Sequence, residues 1–282
     1  MRYLTEQLDS LLSQLSVEIT IFVSVDNSSD GTEAWFDSIE KNDSRIIVLR
    51  HEECFGGAAK NFFRLIRDVD FSSYDYVAFC DQDDVWLPDK LSHSINQLKL
   101  NNASAYSANV IAFWSDSSEK MIDKAQSQVE FDYLFEAAGP GCTYLFKVEA
   151  ASLIKQYLNH YPELNEFMLH DWLSYAVLRH NKIAWFIDCV PKMRYRQHDE
   201  NQVGANTSVK GMVYRFKYAL SGKAFESIQL LVDTLKIPNI TLTNRKGIFK
   251  LAGMARQLRR RKRDQWFAFI VLCLYAIKGP NR

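Results

Sequence analysis

Asp81, Asp83 and Asp84 place three carboxylates within four residues, directly after the apolar run at residues 76–80. Like charges at that spacing oppose one another's ionisation, and a divalent cation would relieve the repulsion. Hard cations such as Mg²⁺ take oxygen ligands, commonly one or two carboxylates plus substrate phosphates. An acidic loop entering a helix is the other reading, because Asp favours turns and helix N-termini, and spacing alone leaves both open. A further acid, Asp171, stands between His170 and Trp172 in a segment that Leu169, Leu173 and Ala176 mark as helical. A partly buried Asp can serve as a general base where it reaches the proton to be removed; otherwise it is an ordinary first-turn residue. Arg196 and His198 follow late in the chain, and both side chains can meet phosphate. Gly56-Gly57 lacks the spacing of a phosphate-cradling loop and reads as a turn.

The elements that must hold these residues follow from periodicity. Tyr3, Leu4, Leu8, Leu11, Leu12 and Leu15 predict a helix, and residues 18–25 a strand ending in the polar cluster at 26–30. A helix at 32–40, a strand at 45–49, a helix from Gly56-Gly57 through Ile66, the strand at 76–80 and a helix after Pro88 continue the alternation. Such alternation implies a mostly parallel sheet whose ligands lie beyond the carboxyl ends of its strands, where both acidic clusters fall. Beyond residue 105 the pattern predicts a strand at 105–113, a polar loop, a turn and strand around Gly139-Pro140-Gly141, the helix around Asp171 and a strand at 183–188. From about residue 207 the composition turns helical, with a basic run at 256–263 before an apolar run at 266–277.

The 282 residues are 47% hydrophobic and 24% charged, which suits one large α/β domain with a small appended piece. Thirty-four basic residues balance thirty-four acidic ones, which argues against a surface built for nucleic acid. Five cysteines with no C-x-x-C pair indicate neither a disulfide scaffold nor a zinc site and fit a reducing cytoplasm. No stretch has the order of a signal peptide, and the apolar run at 266–277 is short of the roughly 20 residues of a spanning helix. Basic residues beside Trp266, Phe267 and Phe269 suit an anionic membrane surface, with Arg259, Arg260 and Arg261 expected to contribute. Nucleic-acid binding and a solvated or packing helix are the alternatives.

Taken together, V-S-V-D-N-S-S-D-G-T, F-C-D-Q-D-D-V-W-L-P-D-K-L, G-P-G-C-T-Y-L-F, H-D-W-L and Y-R-Q-H-D-E-N resemble the family 2 glycosyltransferases, in particular bacterial rhamnosyltransferase-like members that build O-antigen and other surface polysaccharides. The resemblance covers residues 1–206, a nucleotide-sugar- and acceptor-binding domain, and leaves 207–282 as a helical extension. It implies an α/β fold of GT-A type, Rossmann-like, with a mostly parallel sheet flanked by helices. It implies inverting transfer of a deoxyhexose, rhamnose from dTDP-rhamnose, to a saccharide or lipid-linked saccharide. The expected location is the cytoplasm, peripheral on the inner membrane. Asp81 and Asp83 match the family's D-x-D acids with Asp84 beside them, Asp171 matches the catalytic base, and Arg196 and His198 fall in the late donor-binding motif. Asp83 and His198 would hold Mg²⁺ or Mn²⁺. Val25 stands where the family usually has the first of two acids, so that Asp26 matches the second donor-binding acid. Family members normally begin with an apolar strand ahead of the helix that starts here at Tyr3, so an incomplete start is expected. A degenerate, non-catalytic saccharide- or partner-binding protein is the rival reading. A metal-dependent nucleotidyltransferase shares the metal chemistry but leaves Y-R-Q-H-x-x-N unexplained.

Overall fold

The computed structural model describes residues 2–26, 28–49, 55–198 and 222–280. It divides into two compact units, one formed by Met1–Ala125 with Gly139–Asn201, the other by Gln126–Ala138 with Gln202–Arg282. The boundary expected at residue 206, Asp199, Glu200 and the Asn201 of the last motif lie outside the described residues.

The first unit opens with helix α1 (Leu4–Leu12), shorter than its leucine spacing predicts. Leu15 is exposed, and its amide donates to the Pro88 carbonyl (2.8 Å) instead of continuing the helix. The other surprise of α1 is polar. Gln7 and Ser10 of α1, and Gln14 just beyond its end, are all buried. Ser10 Oγ accepts from the Trp86 amide (3.1 Å), Gln14 Oε1 accepts from the Leu91 amide (3.0 Å), and Gln14 Nε2 donates to the Leu87 carbonyl (2.8 Å). α1 is thereby stitched along the segment that follows the acidic cluster.

Strands β1 (Ile21–Val23) and β2 (Ile46–Val48) pair in parallel around helix α2 (Thr32–Glu40). Helix α3 (Ala58–Asp68) precedes β3 (Tyr76–Ala78), and β4 (Val85–Trp86) precedes α4 (Lys90–Leu100). Strands β5 (Ala105–Ala108), β6 (Val110–Phe113), β7 (Glu119–Ile122) and β8 (Leu145–Lys147) follow, then α5 (Val148–His160), α6 (His170–His180), β9 (Trp185–Asp188) and β10 (Met193–Arg196). Two four-stranded sheets result, in the orders β3-β8-β5-β9 and β4-β10-β6-β7. Pairing is more mixed than alternation implies. β1–β2, β6–β10 and β5–β9 are parallel, whereas β8 and the short β4 and β7 run antiparallel to their neighbours.

The strand predicted over 105–113 is two strands in two different sheets, divided at Asn109. The side chain of Asn109, 2% exposed, accepts from the amides of Lys124 (2.6 Å) and Ala125 (3.1 Å) and donates to the Cys189 carbonyl (3.1 Å). A buried residue that satisfies three backbone groups lets the chain change sheets without orphaning them. Under the first of these sheets Phe79, Tyr144, Phe146, Tyr175 and Trp185 form an aromatic cluster with ring centroids 4.9–6.5 Å apart, mostly edge to face. Each such pair adds about 1 kcal/mol beyond area burial. Phe79 lies two residues before Asp81 and Tyr175 four after Asp171, so the cluster fixes the roots of both acids.

The second unit carries the helices Lys223–Thr234, Arg245–Gly253, Ala255–Leu258 and Lys262–Lys278. Here the basic run is not the uniform solvent-facing cluster expected. Arg260 is buried, its Nε 3.5 Å from Glu136 and 3.7 Å from Asp132, while its Nη2 donates to the Ala137 carbonyl (2.6 Å). Arg259 donates to the Phe135 carbonyl (2.6 Å) and faces Glu136. Burying a guanidinium is costly unless it is paired, and the 126–138 segment supplies the acids. No helix among the described residues is long and apolar enough to cross a membrane.

Asn109→Ala takes the side-chain partner from two amides and one carbonyl at part-buried hydrogen bonds, at about 1 kcal/mol each. We expect a loss of about 3 kcal/mol, read as a lowered urea midpoint with an unchanged denaturant slope.

Candidate active site

β3 ends at Ala78, and Cys80 to Asp84 cross from that sheet to β4 in the other. β4 pairs antiparallel with β10, Arg194 opposite Val85. Continuing that register past β4 sets Arg196 opposite Asp83 and brings His198 alongside the acids. The Arg196 amide donates to Asp84 Oδ1 (3.0 Å), its Nε to the Asp83 carbonyl (2.8 Å), and His198 Nε2 lies 2.7 Å from Asp83 Oδ2. Two motifs more than 110 residues apart are thus brought together by one strand pairing.

The guanidinium of Arg196 is held on several sides. Its Nη2 contacts Glu6 Oε2 at 2.5 Å, and its central carbon lies over the rings of Tyr3 (4.5 Å) and Phe113 (4.6 Å). Tyr3 also packs against His198, ring centroids 5.2 Å apart. Arg196, Tyr3, Phe113 and His198 line a cleft of about 710 Å³ with Gln82, Asp83, Trp114 and Asp30. Tyr3, Glu6 and Trp114 carry no motif signal, and only the fold reveals them as neighbours of the acids.

Asp171 sits in the first turn of α6, its Oδ1 accepting from the Trp172 amide (2.7 Å). Burial raises its pKa to about 6, against the lowering effect of that amide and of Lys124. Asp81 is raised to about 7, by burial first and then by the charges of Asp83 and Asp171. Asp84, fully buried, is held well above the usual carboxylate range by burial and by Asp81 and Asp83. Asp81, Asp83, Asp84, Asp171, Arg196 and His198 therefore share one electrostatic site. His170, beside Asp171, stacks on Phe62 (3.9 Å) and is pushed down to about 3 by burial, so it stays neutral. The Gly-Pro-Gly turn closes on this point. A Cβ on Gly141 would stand 2.6 Å from His170 Nε2 and 3.1 Å from Asp171 Cβ, so only glycine lets α6 approach.

Asp26 lies elsewhere. Its carboxylate accepts from the amides of Phe55 (2.7 Å) and Gly56 (2.9 Å), and it is not among the residues that line the cleft. Val25 is buried with Leu4 and Phe36.

Among the described residues, metal-competent atoms of Asp81, Asp84 and Cys142 all lie within 4.8 Å of one another. Burial and the two carboxylates push the Cys142 thiol well up, so it stands there as S–H, not as a thiolate ligand. A cation is already close by. Lys90, 2% exposed, rests its Nζ 3.5 Å from the centroid of the Trp86 ring, and its pKa is lowered to about 8 by burial despite Cys142, Cys80 and Asp84. The pair that opens to the cleft is Asp83 with His198, a carboxylate and an imidazole that suit Mg²⁺ or Mn²⁺. Excess negative charge, seen in the raised acids, fits a divalent ion there.

Comparison with known proteins identifies the family. Residues 2–158 match the sequence profile described as Glycosyl transferase family 2. The dTDP-rhamnosyl transferase RfbG of Shigella flexneri is 40% identical over 278 residues, 96% of each chain. The UDP-Glc:alpha-D-GlcNAc-diphosphoundecaprenol beta-1,3-glucosyltransferase WfgD of Escherichia coli is 28% identical over 184 residues, 64% of this chain and 66% of WfgD. Among solved structures, S. aureus TarS 1-349 in complex with UDP-GlcNAc superposes with a TM-score of 0.54 at 12% identity, covering 99% of this chain and 89% of that one. With a GT-A fold, an acid cluster at the end of β3 and a family match over more than half its length, the chain belongs to glycosyl transferase family 2.

Proposed function

We propose that this enzyme transfers rhamnose from dTDP-rhamnose, with inversion, to a saccharide or lipid-linked saccharide in cell-surface polysaccharide synthesis. The donor follows the dTDP-rhamnosyl transferase that shares 40% of its residues over nearly the full length of both chains. The proposal of a lipid-linked acceptor is supported by the relative whose name carries a diphosphoundecaprenol-linked acceptor, and work at the cytoplasmic face of the inner membrane is part of the same proposal.

The observation that carries the chemistry is the division of labour among neighbouring acids. Asp83 and His198 face the cleft and would hold Mg²⁺ or Mn²⁺, which when bound neutralises charge on the departing diphosphate. Arg196, steadied by Tyr3, Phe113 and Glu6, presents its cation to the same phosphates. Asp81 meets the donor's ribose and diphosphate side. Asp84, with no exposed surface, supports donor binding from behind through the Arg196 amide. Asp26 orders the turn at Phe55–Gly56 and contributes to the nucleotide end through that loop. Asp171 takes the proton of the attacking acceptor hydroxyl. A base with a pKa near 6 is ionised at neutral pH yet more basic than an ordinary carboxylate.

Asp83→Ala is expected to weaken dTDP binding in Mn²⁺ by about 10²-fold by calorimetry. Asp89→Ala, which removes only a half-exposed ion pair with Lys192, should leave it unchanged. Equal binding by Asp83→Ala and the parent would remove Asp83 from the metal site.

Asp171→Asn keeps the acceptor for the Trp172 amide and removes the base. Single-turnover transfer should fall by about 10² or more while dTDP affinity holds, and the acid limb of the rate profile near pH 6 should vanish. The sign for stability is opposite. A carboxyl raised from 3.8 to about 6 costs nothing below its unfolded value, destabilises progressively as pH rises through 6, and costs up to about 3 kcal/mol above it. Asp171→Asn should therefore melt at a higher temperature at pH 7.5 and gain little at pH 4. Unchanged transfer would place the base elsewhere.

A further inference from the structure

Among the described residues, half of the large hydrophobic side chains that stand exposed lie on one helix. Trp266, Phe267, Phe269, Ile270, Leu274 and Ile277 on Lys262–Lys278 are 40–68% exposed, while Leu15, Ile47, Leu100 and the rest are scattered singly. The helix is apolar on all sides, yet only Val271, Leu272, Tyr275 and Ala276 are buried. Tyr275 stacks on Phe225 of Lys223–Thr234 (3.9 Å), which fixes the inward side. The outward residues 263, 266, 267, 270, 274 and 277 recur at spacings of three and four and form one continuous face. A core-packing helix does not spend its outer face on tryptophan, phenylalanine and isoleucine, and contiguous exposed apolar surface of this kind marks a contact site.

Charge identifies the occupant. Residues 126–138 and 222–280 carry twelve Lys or Arg against six Asp or Glu, a surplus of six on a chain whose total is zero. Arg259 and Arg260 are spent on Glu136, Asp132 and backbone carbonyls, but Arg256, Lys262, Arg263 and Lys278 are exposed, three of them at the two ends of the apolar face. A second copy would bring the same basic, apolar face against itself in a two-fold contact, which the charge opposes. A nucleic acid would leave the apolar face unused. We propose that the outer face of Lys262–Lys278 lies in the plane of an anionic lipid bilayer, with Trp266, Ile270, Leu274 and Ile277 inserted and Lys262, Arg263 and Lys278 at the headgroups. This deepens the reading of a membrane-borne acceptor and rests on it only for its purpose, since lipid binding needs no donor or acceptor.

The test is co-sedimentation of the full chain, without substrate, with vesicles of phosphatidylglycerol and phosphatidylcholine or of phosphatidylcholine alone. The parent should bind the anionic vesicles and bind more weakly as NaCl rises from about 0.1 to about 0.5 M. Trp266→Ser/Ile270→Ser should lower partitioning by about tenfold or more, and Lys262→Glu/Arg263→Glu by a similar factor. Tryptophan quenching by lipids brominated in the acyl chain, diminished in Trp266→Phe, reports insertion without relying on the serine variants. Absence of binding to anionic vesicles overturns the proposal and leaves the transfer reading intact. A dimer seen by sedimentation velocity without vesicles and abolished by Trp266→Ser/Ile270→Ser overturns it in favour of a second copy.

Discussion

Crowding carboxylates into a water-poor corner is the constraint around which the first unit is arranged. Asp81, Asp83, Asp84 and Asp171 converge where β3 ends; burial raises Asp81, Asp84 and Asp171 above the usual carboxylate range, and repulsion from neighbouring acids adds to it at Asp81 and Asp84. Left alone, such a cluster would take up protons and cease to bind cations or accept protons usefully. The surrounding cations compensate in different ways. Lys90 is buried on the Trp86 ring and supplies diffuse positive potential from the protein side. Arg196 faces the cleft, and its orientation is over-determined by the Asp83 carbonyl, Glu6 and two aromatic rings. On the proposed reading, a divalent ion held by Asp83 and His198 would complete the balance from the open side, so that binding it would also relieve the fold's own electrostatic cost.

Unequal environments turn chemically identical acids into different tools. Asp84 has no solvent access and its Oδ1 is committed to the Arg196 amide, so it fixes the strand pairing that carries His198 into place. Asp83 reaches the cleft and meets the imidazole. Asp171 belongs to a different helix and is drawn to within electrostatic reach of Asp81 by the bare backbone of Gly141 and by the aromatic cluster beneath it. If Asp171 is the base proposed above, its separation from the acids at the cleft suits an inverting displacement, in which the entering hydroxyl and the leaving group act on opposite sides of one carbon.

Much of this could be read from the residues in order. The acids after an apolar strand, the first-turn Asp171 and the late Arg196 and His198 are local signals, and strand ends place them at one edge of an α/β sheet. What escaped was decided by tertiary pairing. The run at 105–113 reads as one strand because nothing in its periodicity shows that Asn109 satisfies backbone groups from Lys124 and Cys189. Arg259 and Arg260 look like surface charge until Asp132 and Glu136 arrive from a segment more than 120 residues earlier. Cys142 and Lys90 acquire their roles only from the acids they face.

Helix α1 shows how far such hidden pairing reaches into function. Its leucines announce a core-facing helix, and by the ordinary rule Gln7, Ser10 and Gln14 belong in water. Instead they form a second buried stripe that holds Trp86, Leu87 and Leu91, while Gln7 Nε2 reaches Cys80 Sγ at 3.5 Å. These partners bracket Asp81 to Asp84 on both sides in the chain, so α1 grips the acidic crossing at its entry and its exit. From the same helix Glu6 and the preceding Tyr3 reach over Arg196 and His198. One short helix therefore fixes both the backbone that carries the acids and the cation that faces them. Loosening it would blur the placement of Asp81 to Asp84, Arg196 and His198 together, without removing any of those residues.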